Sequence, residues 1–281
     1  MTDQAPGRRA GLAPQGLDVS VPNVARIYDH LIGGKDNFAA DREAARQLLA
    51  AVPDAARAAR ANRAFLARAV RYLAEEAGIR QFLDIGTGLP TRGNVHEVAH
   101  DTDPLAHVVY CDNDPVVMVH ANALLANTFT VAAVHADLRY PRHLFSLPVV
   151  RTLIDLAEPV AVLLVAVLHF IEDSEDPWAL VDQIKRRLAP GSFMVISHVT
   201  GDEISAAARQ QAADVYQKAS APGVARSEED IARFFDGLDL VPPGLVNVSA
   251  WRSPHFPLSP RPALFFAGIG RKPAPLRQRA V

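Results

Sequence analysis

Apolar positions along the chain follow two periods, and the change between them falls just before Ile79. From residue 22 to about 77 the period is helical: Phe65, Leu66, Ala69, Val70 and Leu73 share one face, with Arg63, Arg68, Arg71 and Glu75 spread around the rest. No strand is evident in that stretch. Beyond it, short β-rich runs at 81–85, 107–111, 128–135, 160–168 and 192–198 alternate with helical segments, which predicts a parallel sheet. The run 160–168 is apolar at every position, as a strand covered on both faces must be, and is expected near the sheet centre. Ser174, followed by Glu175, Asp176 and Pro177, predicts a helix start, and Pro190 with Gly191 its stop. A further helix is predicted over 204–219, then a loop over 220–226, then a capping box of Ser227 and Asp230 opening a helix to Phe235. The β-like runs 245–251 and 263–269, joined by a segment with Pro254, Pro257, Pro260 and Pro262, are expected to close the sheet as an antiparallel pair. The class is therefore α/β, with helices on both sheet faces.

The two ends differ from this body. Residues 1–20 carry turn formers and no apolar period, and 272–281 reads the same way, so both are expected to be disordered. No repeat of 20 to 50 residues is visible. The organisation expected is an N-terminal helical cap or lid over 21–77 and a cofactor-binding α/β domain over 78–271, carrying a helical insertion at 201–226. A chain of 281 residues that is 49% apolar can bury a large core, and its net charge of −2 offers no bulk field for nucleic acid or an anionic membrane. The longest apolar run, 160–168, is far short of the roughly 20 residues that span a bilayer. Arg8 and Arg9 are not followed by an apolar stretch, so no secretory signal is expected. The single cysteine, Cys111, cannot form an internal disulfide, which suits a reducing cytoplasm. The oligomeric state is left open, with a homodimer as one candidate.

The strongest local signal is Phe82-Leu83-Asp84-Ile85-Gly86-Thr87-Gly88, a strand that ends in an acid and runs into two glycines. In open α/β sheets ligands bind beyond the carboxyl ends of the strands, where glycine allows positive φ and close backbone approach. A tight strand-to-helix turn would use the same glycines. Asp112 ends the next strand 24 residues after Gly88, near the spacing of a ribose-binding acid. Asp114 competes for that role, and Asn113 or Asp114 could instead cap the helix led by Pro115. Asp137 ends the third strand, where a carboxylate can accept from an adenine amino group.

These acids and glycines, with an apolar fourth strand and the Leu188-Ala189-Pro190-Gly191 turn into the fifth, resemble a class I S-adenosylmethionine-dependent methyltransferase. More narrowly, Pro22-Asn23-Val24-Ala25-Arg26-Ile27-Tyr28-Asp29, Gly33-Gly34-Lys35-Asp36-Asn37-Phe38, Asp41-Arg42-Glu43, Gly88-Leu89-Pro90-Thr91 and Asn94-Val95-His96-Glu97 are similar to an actinobacterial S-adenosyl methyltransferase family, formerly a domain of unknown function. The similarity runs from about Val21 to Arg271. It implies a Rossmann-like seven-stranded sheet with S-adenosylmethionine at the strand ends. Asp84, Gly86 and Gly88 would then line the methionine and ribose side, Asp112 hold the ribose, and Asp137 sit at the adenine, with Asn113 and Leu138 beside these acids. Thr87 or Thr91 could add a hydroxyl contact. Pro90 stands where many such loops have a third glycine.

The remaining candidates are weighed on chemistry. A cofactor carboxylate calls for a cation, and Arg63 can supply a bidentate fork, with Arg26 as its rival. The polar stretch from Tyr28 to Asn37 around Gly33 and Gly34 reads as a lid with a glycine hinge, contributing Asn37 to the cofactor; a capped surface turn is the plainer alternative. His169 follows the fourth strand and is a candidate general base, with Tyr28 as the second candidate catalytic residue; His169 could equally order a helix cap, and His198 is equally ambiguous. In-line methyl transfer can proceed on orientation alone. His96-Glu97-x-x-His100 has the spacing of a zinc-hydrolase helix but no evident third ligand, so no metal is expected. Tyr28, Phe38, Phe65 and Tyr216 could line an acceptor pocket, Phe65 more readily serving the core. The function expected is methyl transfer to a small-molecule acceptor. The alternatives are a nicotinamide-dependent oxidoreductase, against which Thr91 stands where a third glycine or alanine belongs, and a cofactor-binding module without catalysis.

Overall fold

The computed structural model describes residues 18–91, 93–125, 128–253 and 264–274. Most of both expected disordered ends, and the proline-bearing segment between the last two β-like runs, lie outside the described residues.

Three helices come first: α1 (Val24–Ile32), α2 (Ala39–Ala51) and α3 (Ala55–Glu75). The sheet strands are β1 (Gln81–Ile85), β2 (His107–Asp112), β3 (Val131–His135), β4 (Ala161–Val165), β5 (Phe193–Val199), β6 (Asp239–Leu240), β7 (Val246–Asn247) and β8 (Phe265–Arg271). Between and after them run α4 (Val95–His100), α5 (Pro115–Leu125), α6 (Pro141–Leu144), α7 (Pro148–Leu153), α8 (Pro177–Arg187), α9 (Ala206–Tyr216) and α10 (Glu228–Ala232). The order across the sheet is β3-β2-β1-β4-β5-β8-β6, with β8 antiparallel to β5 and β7 also on β8.

Among the described residues the sheet is built from eight strands in seven lateral positions. β6 and β7 lie one after the other along the outer side of β8, opposite Arg271 and Gly270 and then Ala267 and Phe266. Between them runs a segment with a cis Pro242–Pro243 peptide. The strand expected over 245–251 keeps only Val246 and Asn247, because the chain turns away after them.

β4 shows why its sequence is uniformly apolar. Ala161 and Leu163 enter a core with Phe65, Leu73, Phe82 and Trp251, whereas Val162 and Leu164 enter a second core with α8 on the other face. At the start of α8, Asp176 and not Ser174 is the cap, accepting from the Ala179 N–H with Pro177 in the first turn. Ser174 sits one step earlier, in a 3-10 turn over Asp173–Glu175.

α3 serves two layers. Phe65, Leu66, Ala69, Val70 and Leu73 bury against the sheet, while Ala59 joins Ile27, Leu31, Ala44, Ala45, Leu48 and Val215 in a small core among α1, α2 and α9. The expected insertion helix, α9, therefore packs on the N-terminal helices. The junction is latched where Ser220 N–H donates to Pro22 O (2.9 Å) and Val24 N–H donates to Ser220 Oγ (3.1 Å). Among the described residues no helix is long and apolar enough to cross a membrane.

Candidate active site

A cavity of about 430 Å³ opens over the carboxyl ends of β1, β2, β3 and β4, between the sheet and the N-terminal helices. Its position follows from the topology, since the strand order reverses between β1 and β4 and leaves a crevice there. Tyr28, Arg63, Asp84, Gly86, Thr87, Gly88, Asp112, Asn113, Asp137 and Leu138 all line it. Asn37 and His169 do not.

The glycine loop is hooked onto β2, with Gly86 N–H and Thr87 N–H both donating to Cys111 O (2.8 and 3.2 Å). Gly86 has φ 74° and Gly88 φ 66°, both in the left-handed region. Gly88 N–H donates to Asp112 Oδ2 (2.9 Å), and Asp114 N–H to Asp112 Oδ1 (2.9 Å), so Asp112 holds the loop and keeps lone pairs toward the cavity. Asp114 caps α5 by accepting from Val116 N–H, which separates the two rivals for the ribose role. Thr87 Oγ1 donates to Asp84 Oδ2 (2.9 Å). Burial pushes the Asp84 carboxyl up to about 6, against the opposing pull of Thr87 and Arg63. Burial raises Asp112 as well.

On the β3 side Asp137 accepts from Arg139 N–H and Nη1 (2.9 and 3.1 Å) and from Asn113 Nδ2 (3.2 Å). Arg139, which also reaches Glu175, lines the cavity and was not anticipated from sequence. On the opposite side Arg63 donates through Nη2 to Asn94 Oδ1 (3.1 Å), while its buried Nε has no partner among the described residues. The buried Thr91 hydroxyl is likewise without one among the described residues. Arg26 is otherwise occupied: its Nε pairs with the fully buried Asp41 (2.8 Å) and its Nη2 donates to Val21 O. Of the two rivals, only Arg63 has a buried donor without a partner among the described residues.

Several expectations are corrected. His169 is buried against Phe170, His198 and Phe265, its Nδ1 has no partner among the described residues, and burial with Arg226 nearby drives its pKa to about 3. An imidazole made so weakly basic, and packed outside the cavity lining, is poorly suited to take a proton from an acceptor there. His198 is structural, its Nδ1 at 2.7 Å from Val199 O and its Nε2 at 2.8 Å from Arg226 Nη1. Tyr28 does line the cavity, but its hydroxyl donates to Ala59 O (2.9 Å) and accepts from Asn62 Nδ2 (3.1 Å), and burial raises the phenol. Asn37 holds Asp29 in place of a cofactor, through Nδ2 to Oδ2 (2.8 Å). The Gly33–Gly34 pair is not a free hinge: Gly33 (φ 90°) terminates α1, and a Cβ on Gly34 would lie 1.8 Å from Asp29 Oδ1. Of the expected acceptor-pocket aromatics, Phe65 is core and Phe38 sits under Arg26, while Tyr216 packs on Phe170.

The zinc-like string on α4 has other duties. His96 Nδ1 meets Tyr110 OH (2.7 Å), His100 Nε2 meets Ala106 O (2.9 Å), and Glu97 accepts from Gly93 and Asn94 N–H. Among the described residues no group of three His, Cys, Asp or Glu is arranged to hold a metal.

This sheet order with a glycine loop and an acid at the second strand end is the class I methyltransferase fold, shared with two distant structures. These are the N-methyltransferase NodS from Bradyrhizobium japonicum WM9 (17% identity over 79% of this chain and 99% of that one, TM-score 0.50) and an O-methyltransferase family protein from Burkholderia thailandensis (16% identity, 82% and 62% covered, TM-score 0.51). Two much nearer structures come from actinobacteria. A protein from Thermobifida fusca YX provisionally assigned as a methyltransferase is 42% identical over 94% of this chain and all of that one, with TM-score 0.88. A DUF574 family protein from Streptomyces avermitilis MA-4680 is 38% identical over 91% and 99%, with TM-score 0.86. The family model described as S-adenosyl methyltransferase matches residues 10–273, and the chain belongs to that family. It is a methyltransferase whose cofactor is S-adenosylmethionine. No match was found among curated proteins.

Proposed function

We propose that the chain methylates a small-molecule acceptor inside this cavity, with Arg63 and Thr91 receiving the cofactor carboxylate. The observation that carries the assignment is a pair of buried polar groups without a partner among the described residues, Arg63 Nε and Thr91 Oγ1, both lining the cavity. Leaving such groups unpaired costs about 1–3 kcal/mol each, which a bound carboxylate would return. Asp84 presents a carboxylate to the cofactor's ammonium, and Gly86, Thr87 and Gly88 let the backbone approach. Asp112 is placed for the ribose hydroxyls; Asn113, Asp137 and Leu138 border the adenine end.

When bound, the cofactor supplies a methyl group already activated by a sulfonium. The protein's contribution is then orientation and the exclusion of water, because the cavity contains neither His169 nor a free tyrosine hydroxyl to act as base. The latch of Pro22 and Val24 on Ser220 encloses the acceptor, and Phe170 and Ile171 give it apolar walls. The division into a helical cap, an α/β cofactor domain and an insertion that completes the cap is supported by the packing of α9 on α2. Calorimetric titration with S-adenosylhomocysteine tests the reading. Arg63→Met should weaken binding by roughly tenfold or more, as expected for a lost charge-assisted bond. Unchanged affinity in that variant would refute the carboxylate assignment.

A further inference from the structure

A second pair of polar groups faces the same cavity and is not used by the cofactor assignment above. Asp29, on α1, is only 2% exposed and lines the cavity. Its Oδ2 accepts from Asn37 Nδ2 (2.8 Å) and Asp36 N–H (3.0 Å), while its Oδ1 takes no hydrogen bond among the described residues. The carboxylate is held deliberately. Arg42 Nη1 donates to Asn37 O and Oδ1 (2.7 and 3.3 Å), which fixes the Asn37 amide with its nitrogen toward Asp29, and Gly34 leaves the space Oδ1 occupies. The titratable groups that influence Asp29 are Asp36 and His120, and His120 itself lies 4.0 Å from Asp36; among the described residues no lysine or arginine forms an ion pair with Asp29. A buried carboxylate without a cation is costly unless its ligand brings one.

Asn62, on α3, is 1% exposed, and its Oδ1 has no partner among the described residues. The chain of bonds from Asn62 Nδ2 to Tyr28 OH to Ala59 O fixes that amide too, leaving a carbonyl oxygen as the free atom. Both groups can only accept, so a matching ligand must donate. Around them the cavity has Asp84, Asp112, Asp114 and Asp137, against Arg63 and the already paired Arg26 and Arg139. An anionic acceptor would meet repulsion there.

We infer that the methyl acceptor carries a basic amine, held as an ammonium by Asp29 Oδ1 and Asn62 Oδ1. The inference rests on the methyltransferase reading. It assigns the amine to the acceptor and not to the cofactor because Asp84 belongs to β1 of the sheet, with the glycine loop, whereas Asp29 belongs to α1 of the N-terminal helices. A protonated nitrogen has no lone pair, so the held amine is an anchor and the methylated atom lies elsewhere on the acceptor.

The test uses the full chain saturated with S-adenosylhomocysteine and titrated with tyramine, phenethylamine and cadaverine, each against a carboxylate of the same skeleton. Amine binding without carboxylate binding is expected. Asp29→Asn, an isosteric change, should weaken the amines roughly tenfold to hundredfold and leave S-adenosylhomocysteine affinity within about twofold, which also certifies the fold. Asn62→Leu should weaken the amines as well. The inference is overturned if no amine binds, if a carboxylate binds as tightly, or if Asp29→Asn weakens S-adenosylhomocysteine, which would give Asp29 to the cofactor. Failure of S-adenosylhomocysteine to bind the wild-type chain would instead overturn the methyltransferase reading.

Discussion

Gly86 and Gly88 both have positive φ, yet substituting them should have different consequences, one chiefly for stability and the other chiefly for ligand binding. Alanine at either position brings left-handed strain of about 1–2 kcal/mol. At Gly88 an added Cβ meets no described atom within 4 Å, so strain is the stability cost and the melting temperature should fall by roughly 2–6 °C for a chain of this size. That Cβ would stand in the cavity, so S-adenosylhomocysteine affinity should drop at least about tenfold, worth ~1.4 kcal/mol. At Gly86 the added Cβ would lie 2.3 Å from Val167 Cγ2 and 2.7 Å from Val167 Cβ. Rotating the Val167 side chain moves Cγ2 but not Cβ, so the backbones of β1 and the β4 loop must separate. Overpacking of this kind adds about 1–3 kcal/mol, for a total of about 2–5 and a fall of roughly 5–15 °C. Val167→Ala added to Gly86→Ala removes the nearer contact and should recover part of the loss. Differential scanning calorimetry of the three variants, with a ligand titration of each, decides the matter. The reasoning is refuted if Gly86→Ala melts with the wild type, or if Gly88→Ala loses as much stability as Gly86→Ala.

Other outcomes follow from the same geometry. The Asp84 carboxyl, raised to about 6 from 3.8, binds more protons folded than unfolded between those values, so its burial lowers stability as pH rises through that window. Asp84→Asn should therefore stabilise the ligand-free protein against urea at pH 8 by up to about 3 kcal/mol, an advantage that shrinks to nothing below about pH 4. Gly34→Ala drives Asp29 from its nook and should cost about 1–3 kcal/mol. Adding Asp29→Ala should recover most of that loss, a coupling that a double-mutant cycle in urea measures. Arg226→Met leaves Leu168 O, Ile171 O and His198 Nε2 without their buried donor, while the Asp173 it frees is exposed, and should cost about 2–4 kcal/mol in the same assay.

Much of the sheet was legible because its signals are local. The all-apolar β4, the acids closing β1, β2 and the β3 turn, and the glycines after β1 are each written within a few residues. Side-chain direction is not local. His169 and His198 follow strands at the ligand edge, and nothing in the sequence shows that the chain turns after Ala166 (φ 58°), or that His169 and His198 pack on each other away from the cavity. The choice between Arg26 and Arg63 depended on Asp41, fifteen residues from Arg26 and on another helix. Likewise the polar stretch from Tyr28 to Asn37 advertised chemistry, but its product, one carboxylate oriented by Asn37, Arg42 and Gly34, appears only when the turn closes. α6 and α7 left no apolar period long enough to notice, being four and six residues long. The latch through Ser220 joins segments almost two hundred residues apart and had no sequence signature.

The central claim is that the cavity is built around S-adenosylmethionine, with Asp112 gripping both the glycine loop and the ribose. Its most direct test is calorimetric titration of wild type and Asp112→Ala with S-adenosylmethionine, S-adenosylhomocysteine and NAD. The account predicts that both adenosyl ligands bind the wild type, that both are lost in Asp112→Ala, and that NAD binds neither. NAD binding to the wild type, or adenosyl binding that survives Asp112→Ala unchanged, would contradict it.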